Sequence, residues 1–204
     1  MRDLEIRGAG SILGRSQHGH MTSVGYDLYC KLLNEAVKKA KGEETQPERE
    51  VKVTFSVDAF LPETFIVNET QKLEIYKKIA AIRSLEDYEE LEEELRDRFG
   101  DIPSPAKNLL RIALIRSVAA RVGIAEINAS FGSVQFIMDP KAKGLRAENI
   151  PKIIANYRKN LTFSAKGTPS FLYQYKPVGV TVRDEQILLA AVEELLPVMA
   201  RYLL

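Results

Sequence analysis

A chain of 204 residues that is 45% apolar can bury a core in one large or two small domains. Its 29 Lys and Arg stand against 28 Asp and Glu, which excludes a uniformly basic nucleic-acid binder and an acidic disordered tail, so any electrostatic function has to be local. The single cysteine, Cys30, excludes an internal disulfide and a cysteine-built metal centre. With no secretory segment and no apolar run near the ~18 residues of a membrane span, the expectation is a soluble, cytoplasmic protein without membrane contact.

The opening stretch RDLEIRGAGSILGRSQHGH (2–20) holds four glycines, three arginines and two histidines. A P-loop needs four residues between its glycines and then Lys-Ser/Thr, whereas Gly10 and Gly14 enclose three and are followed by Arg15-Ser16. Gly8, Gly10 and Gly14 give GxGxxxG, and no strand stands in front of them, so the dinucleotide fingerprint fails too. His18 and His20 have no carboxylate or thiolate nearby to complete a metal's coordination, and no Ser–His–Asp or Cys–His pairing is available. Catalytic and metal-ligating residues are therefore none, and a stand-alone nucleotide enzyme is the weakest of the readings.

Residues 26–40 place Leu28, Leu32, Leu33, Ala36 and Val37 on one helical stripe, with Lys38, Lys39 and Lys41 where a helix dipole favours cations and Gly42 as the stop. The polar run GEETQPERE (42–50) has little to bury, which sets the expected division: an N-terminal loop and helix over 1–42, a linker over 43–50 and a domain over 51–204. VKVTFSV (51–57) alternates as a strand does. Three helices follow, started by Asn68 with Gln71 before Leu73, Tyr76 and Ile79, by Ser84 with Asp87 before Tyr88, Leu91 and Leu95, and by Ser104-Pro105, with Gly123 ending the third. Short strands are predicted over 125–129, 133–139, 161–165 and 170–175, with a turn at Phe131-Gly132 and a helix over 148–157. A last helix starts at Asp184, and Pro197 is expected to kink it or end its first part. The sum is an α+β domain of several helices and a small mixed or antiparallel sheet, behind a glycine-rich loop and one helix.

From Arg83 to Asp101 the chain carries nine acids against three bases. Glu86/Glu90, Glu89/Glu93 and Glu90/Glu94 are like-charge pairs at helical spacing, each costing roughly 0.2–0.5 kcal/mol, partly offset by Glu92 with Arg96 and Glu94 with Arg98. The stripe Leu85, Tyr88, Leu91, Leu95 is expected to face the core, leaving Glu90, Glu94 and Asp97 on the opposite side, to sit in water or to meet an arginine-rich partner. The stretch Lys141 to Lys166 is the reverse, with Lys141, Lys143, Arg146, Lys152, Arg158, Lys159 and Lys166 against Glu148. It reads as a solvated face, with an independent DNA-binding domain as the alternative, while Tyr157 and Phe163 within it are as easily core residues.

The run DLEIRGAGSILGRSQHG (3–19), followed by VGYDLYCKLLNEAV (24–37), resembles the translocation motif shared by the bacterial repair motors RecG and the transcription-repair coupling factors, the Mfd family. The run 60–110, FLPETFIVNETQKLEIYKKIAAIRSLEDYEELEEELRDRFGDIPSPAKNLL, is similar to the C-terminal domain of the Mfd family alone. The resemblance implies that the loop couples nucleotide-driven closure of motor lobes to movement on double-stranded DNA through Arg7 and Gln17. It also implies that the C-terminal domain docks on a UvrB-like module of the same protein. Docking would hide the surface that recruits UvrA and restrain the motor until stalled RNA polymerase is engaged, with Glu94, Asp97 and Arg98 in the contact. No ATPase motif stands in this sequence, so the implied role is non-catalytic and without cofactors, ATP and magnesium belonging to the parent protein.

Overall fold

The computed structural model describes residues 51–55, 57–130, 132–175 and 185–204. The N-terminal loop with Arg7 and Gln17, the predicted helix over 26–40, the linker 43–50, Phe131 and Asp184 lie outside the described residues.

Five strands form one sheet in the order β1-β2-β3-β5-β4: β1 (Lys52–Thr54), β2 (Ile124–Ser130), β3 (Ser133–Met138), β4 (Leu161–Ser164) and β5 (Ser170–Gln174). β1 runs parallel to β2 and every other pairing is antiparallel, so the sheet is mixed. Val51, Val53, Phe55 and Val57 are all buried, so the predicted alternation holds, although the ladder takes only its middle. A bulge between Ile124 and Glu126 restores the register that puts Ile127 and Ala129 on the same face as Val134, Phe136, Phe171 and Tyr173. Helices cover that face, while Asn128, Gln135 and Thr162 point to the other.

The described helices are α1 (Glu69–Ala80), α2 (Leu85–Phe99), α3 (Ser104–Arg121), α4 (Ile150–Tyr157) and α5 (Glu185–Leu203). The predicted caps explain two starts. The Asn68 side chain accepts from Gln71 N at 3.0 Å, and in α2 the Ser84 hydroxyl accepts from Asp87 N at 3.1 Å while Asp87 accepts from Ser84 N at 2.9 Å. α3 departs from expectation: Pro103 is its cap, without a side-chain bond, Ser104 is already helical, and the Pro103 carbonyl takes both Ala106 N and Lys107 N at 3.0 Å. Short 3-10 turns, 147–149 and 158–160, flank α4. α5 continues through Pro197 instead of ending there, since its apolar face is held by the sheet and only one internal hydrogen bond, to the Glu193 carbonyl, is given up.

Two apolar clusters result, and α3 belongs to both. Ala106, Leu109, Leu110 and Ala113 pack with Ile75 and Ile79 of α1, Leu91 and Leu95 of α2, and Leu61 and Ile66 before them. Ile112, Ile115 and Ala119 pack instead on the sheet and on α5. Two leucines expected in the helical cluster are outside it. Leu73 is 38% exposed because the buried stripe of α1 runs through Lys72, Ile75 and Ile79, and Leu85 is 58% exposed on the rim of an open groove of about 330 Å³ between α2, α3 and α5. At the far end of α3, Gly123 takes φ +73°, and a Cβ there would stand 2.6 Å from Leu145 Cδ1, so the loop after β3 closes onto a position where only glycine fits.

Candidate docking surface

α1 and α2 meet side by side with their charged faces outward. Lys78, in the last turn of α1, places its ammonium 2.7 Å from both carboxylate oxygens of Glu94 on α2. Arg98, one turn on from Glu94, donates to the same carboxylate at 2.5 Å. Glu74 completes the group, 3.5 Å from Lys78 and 3.7 Å from Arg98. The Arg98 guanidinium also lies 5.0 Å from the centroid of the Phe99 ring, and that ring packs edge-on against Phe65 at 5.7 Å, so the cation is fixed to a rigid helix end.

The electrostatics follow from this geometry. Hydrogen bonding from Lys78, then from Arg98, holds the Glu94 carboxyl below the usual carboxylate range, and the same contact raises the Lys78 ammonium. At the other end of α2, backbone N–H groups of Arg83 and Ser84 hold Asp87 down in the same direction. The site residues picked out in the sequence thus separate into two kinds. Glu94 and Arg98 are brought together and charge-satisfied inside the domain; Asp97 is exposed and pairs with no described cation. The second expected pair, Glu92 with Arg96, also forms, at 3.0 Å. Lys78 and Glu74 are the members that sequence reasoning missed. The i,i+4 spacing of each pair was visible, but not the approach of one helix to the other.

A second ionic group sits between α3 and α5. Arg111 grips Glu193 with two hydrogen bonds of 2.7 Å and also donates to Gln186. Gln186 in turn donates to Asn108 at 3.0 Å, and the fully buried Asn108 donates to the Asp58 carbonyl at 2.9 Å. Tyr88 lies beside this group in the wall of the groove, and burial pushes its phenol up to about 12. In the basic stretch, Tyr157 stacks edge-on with Tyr173 at 5.3 Å and Phe163 meets Phe171 at 4.8 Å, so both rings pack on the sheet core and neither is displayed for bases. Among the described residues no cluster of three or more His, Cys, Asp or Glu could hold a metal, and no helix is long and apolar enough to cross a membrane.

Fold and site together define a two-layer α+β domain with one ionic group displayed on the surfaces of α1 and α2 and another beside the groove between α2, α3 and α5. The sequence model of the TRCF domain matches residues 55–148. The transcription-repair-coupling factor of Staphylococcus epidermidis is 42% identical over 144 residues, covering 70% of this chain and 12% of that protein. That of Borreliella burgdorferi is 32% identical over 178 residues, 87% of this chain and 16% of that protein. A crystal structure of the C-terminal domain of transcription-repair coupling factor superposes with a TM-score of 0.61 at 26% identity, covering 76% of this chain and 97% of that one. The chain belongs to the transcription-repair-coupling factor family and corresponds to its C-terminal part, as the run 60–110 implied. It spans 12–16% of the length of these two relatives.

Proposed function

We propose that this domain is the docking and restraining module of a transcription-repair coupling factor, and that the face carrying Glu94, Asp97 and Arg98 closes onto a UvrB-like module of the same protein. In the closed form the surface that recruits UvrA is covered and the ATP-driven double-stranded DNA translocase is held back; stalled RNA polymerase shifts the population to the open form. In the same reading the N-terminal stretch, through Arg7 and Gln17, couples ATP hydrolysis to movement on DNA, and the chain itself performs no chemistry.

The observation that supports this reading best is the ionic group on α1 and α2. Its side chains are 29–49% exposed, so each pair is worth about 1 kcal/mol or less and can be reorganised by a partner at small cost. Asp97 beside it offers a carboxylate with no ion-pair partner among the described residues. A contact built from such pairs opens with a modest difference in affinity between two states, as a switch requires. The test is the DNA-stimulated ATPase rate of a full-length protein of the family with and without the residues matching 51–204. The rate should rise on removal; an unchanged rate overturns the restraint.

A further inference from the structure

The basic stretch 141–166 is not one surface in the fold. The loop after β3 carries Lys141, Lys143 and Arg146 to one end of the sheet, fixed by backbone bonds from Asp139 N to the Gly123 carbonyl at 2.8 Å, Met138 N to Pro169 at 2.8 Å and Arg146 N to Leu203 at 2.9 Å. Those bonds bring three more cations to the same end: Arg121 in the last turn of α3, Lys166 in the connection from β4 to β5, and Arg201 in the last turn of α5. Lys159 goes the other way, in the turn leading to Leu161, which pairs with Tyr173 toward the opposite end of β5.

All six gathered cations are exposed, and among the described residues Arg121, Lys143, Arg146 and Lys166 enter no ion pair. The acids of the 139–149 segment are Asp139, whose carboxylate accepts from Lys141 N at 2.8 Å, and Glu148. Helix dipoles account for Arg121 and Arg201 at the C-terminal ends of α3 and α5, but for none of the loop cations. α3 is 18 residues, roughly 27 Å, long, and Arg121 stands in its last turn whereas Arg98 stands at the end of α2, before α3 begins.

We propose that this electropositive end binds the phosphate backbone of duplex DNA, through a surface separate from the α1–α2 face. Cations contributed by four separate segments suit a ligand whose charge is repeated along its length, and contacts of this kind position a protein on DNA without reading sequence. Single-stranded binding would call for stacking rings, and the aromatics of this stretch are committed to the core.

The whole chain is titrated with a short fluorescent duplex over a range of salt. Four to six phosphate contacts give a slope of log Kobs against log salt of about −4 to −5. Lys143→Glu combined with Arg146→Glu should flatten that slope by about two and weaken low-salt binding at least tenfold. Lys159→Glu, at the opposite end, should leave both unchanged, and Lys143→Gln with Arg146→Gln repeats the test should reversal disturb folding. Wild-type affinity in both double variants, an equal loss with Lys159→Glu, preference for a single strand, or competition by polyglutamate as effective as by unlabelled duplex would each overturn the proposal.

Discussion

Two ionic groups of similar composition occupy this domain in different settings. Between α1 and α2, Glu74, Lys78, Glu94 and Arg98 lie in partial contact with water; Lys78–Glu94 and Arg98–Glu74 link the two helices, while Lys78–Glu74 and Arg98–Glu94 each lie within one. Between α3 and α5, the Arg111 side chain is only 18% exposed, holds Glu193 through both of its oxygens, and is continued by Gln186 and Asn108 to the Asp58 carbonyl. The first is redundant: Glu94 has two cations, and either can leave. The second is a chain whose links follow one another from Glu193 through Arg111, Gln186 and Asn108 to the Asp58 carbonyl, and it ties the segment after β1 to the two helices that cover the sheet. Partly exposed pairs that share partners can be rearranged by a docking surface; a bidentate pair inside a closed network is a strut.

The distinction predicts unequal costs. Arg111→Leu should destabilise the domain most, by about 2–3 kcal/mol in urea unfolding, because the Glu193 carboxylate and the Gln186 carbonyl lose a charged donor together. A loss below about 0.5 kcal/mol, the level of an ordinary surface change, would erase the difference between the groups. Asn108→Ala should follow at about 1–2 kcal/mol, from the lost hydrogen bonds to the Asp58 carbonyl and from the Gln186 amide. Lys78→Ala should cost less than about 1 kcal/mol, since Arg98 remains on Glu94; a loss as large as that of Arg111→Leu would make the α1–α2 group a strut as well.

The smallest effect is one of pH. Because the Glu94 carboxyl is held below its ordinary value, its contribution is present at neutral pH and is lost as pH falls through that lowered value. The stability difference between wild type and Lys78→Ala should therefore shrink toward zero on acidification. A difference that persists below the carboxylate range would mean that Lys78 acts through its aliphatic stem instead of its charge.

What was legible in the sequence was local. The Asn68 and Ser84 caps, the pairs Glu92 with Arg96 and Glu94 with Arg98, and the strands after Gly123 depend on residues within a few positions of one another. The strand order, the Arg111–Glu193 contact across 82 residues and the approach of Lys78 to Glu94 depend on how elements fold back, and no spacing encodes them. Leu85 shows the limit at the scale of one side chain: a perfect helical stripe carries it onto the rim of a groove, because no element of the described chain covers the first turn of α2. The basic stretch shows it at the scale of a surface, since neighbours in sequence part to opposite sheet ends while Arg121 and Arg201 join from afar.

The proposed division of labour gives docking to the redundant group on α1 and α2 and stability to the Arg111–Glu193 chain. Its most direct test is UvrA capture by a full-length protein of the family carrying Asp97→Lys, measured beside one carrying Arg111→Lys. Asp97→Lys should gain UvrA binding with an unchanged unfolding midpoint, while Arg111→Lys should lower the midpoint and leave UvrA binding at the wild-type level. UvrA affinity that is the same as wild type in the Asp97→Lys protein would contradict that division.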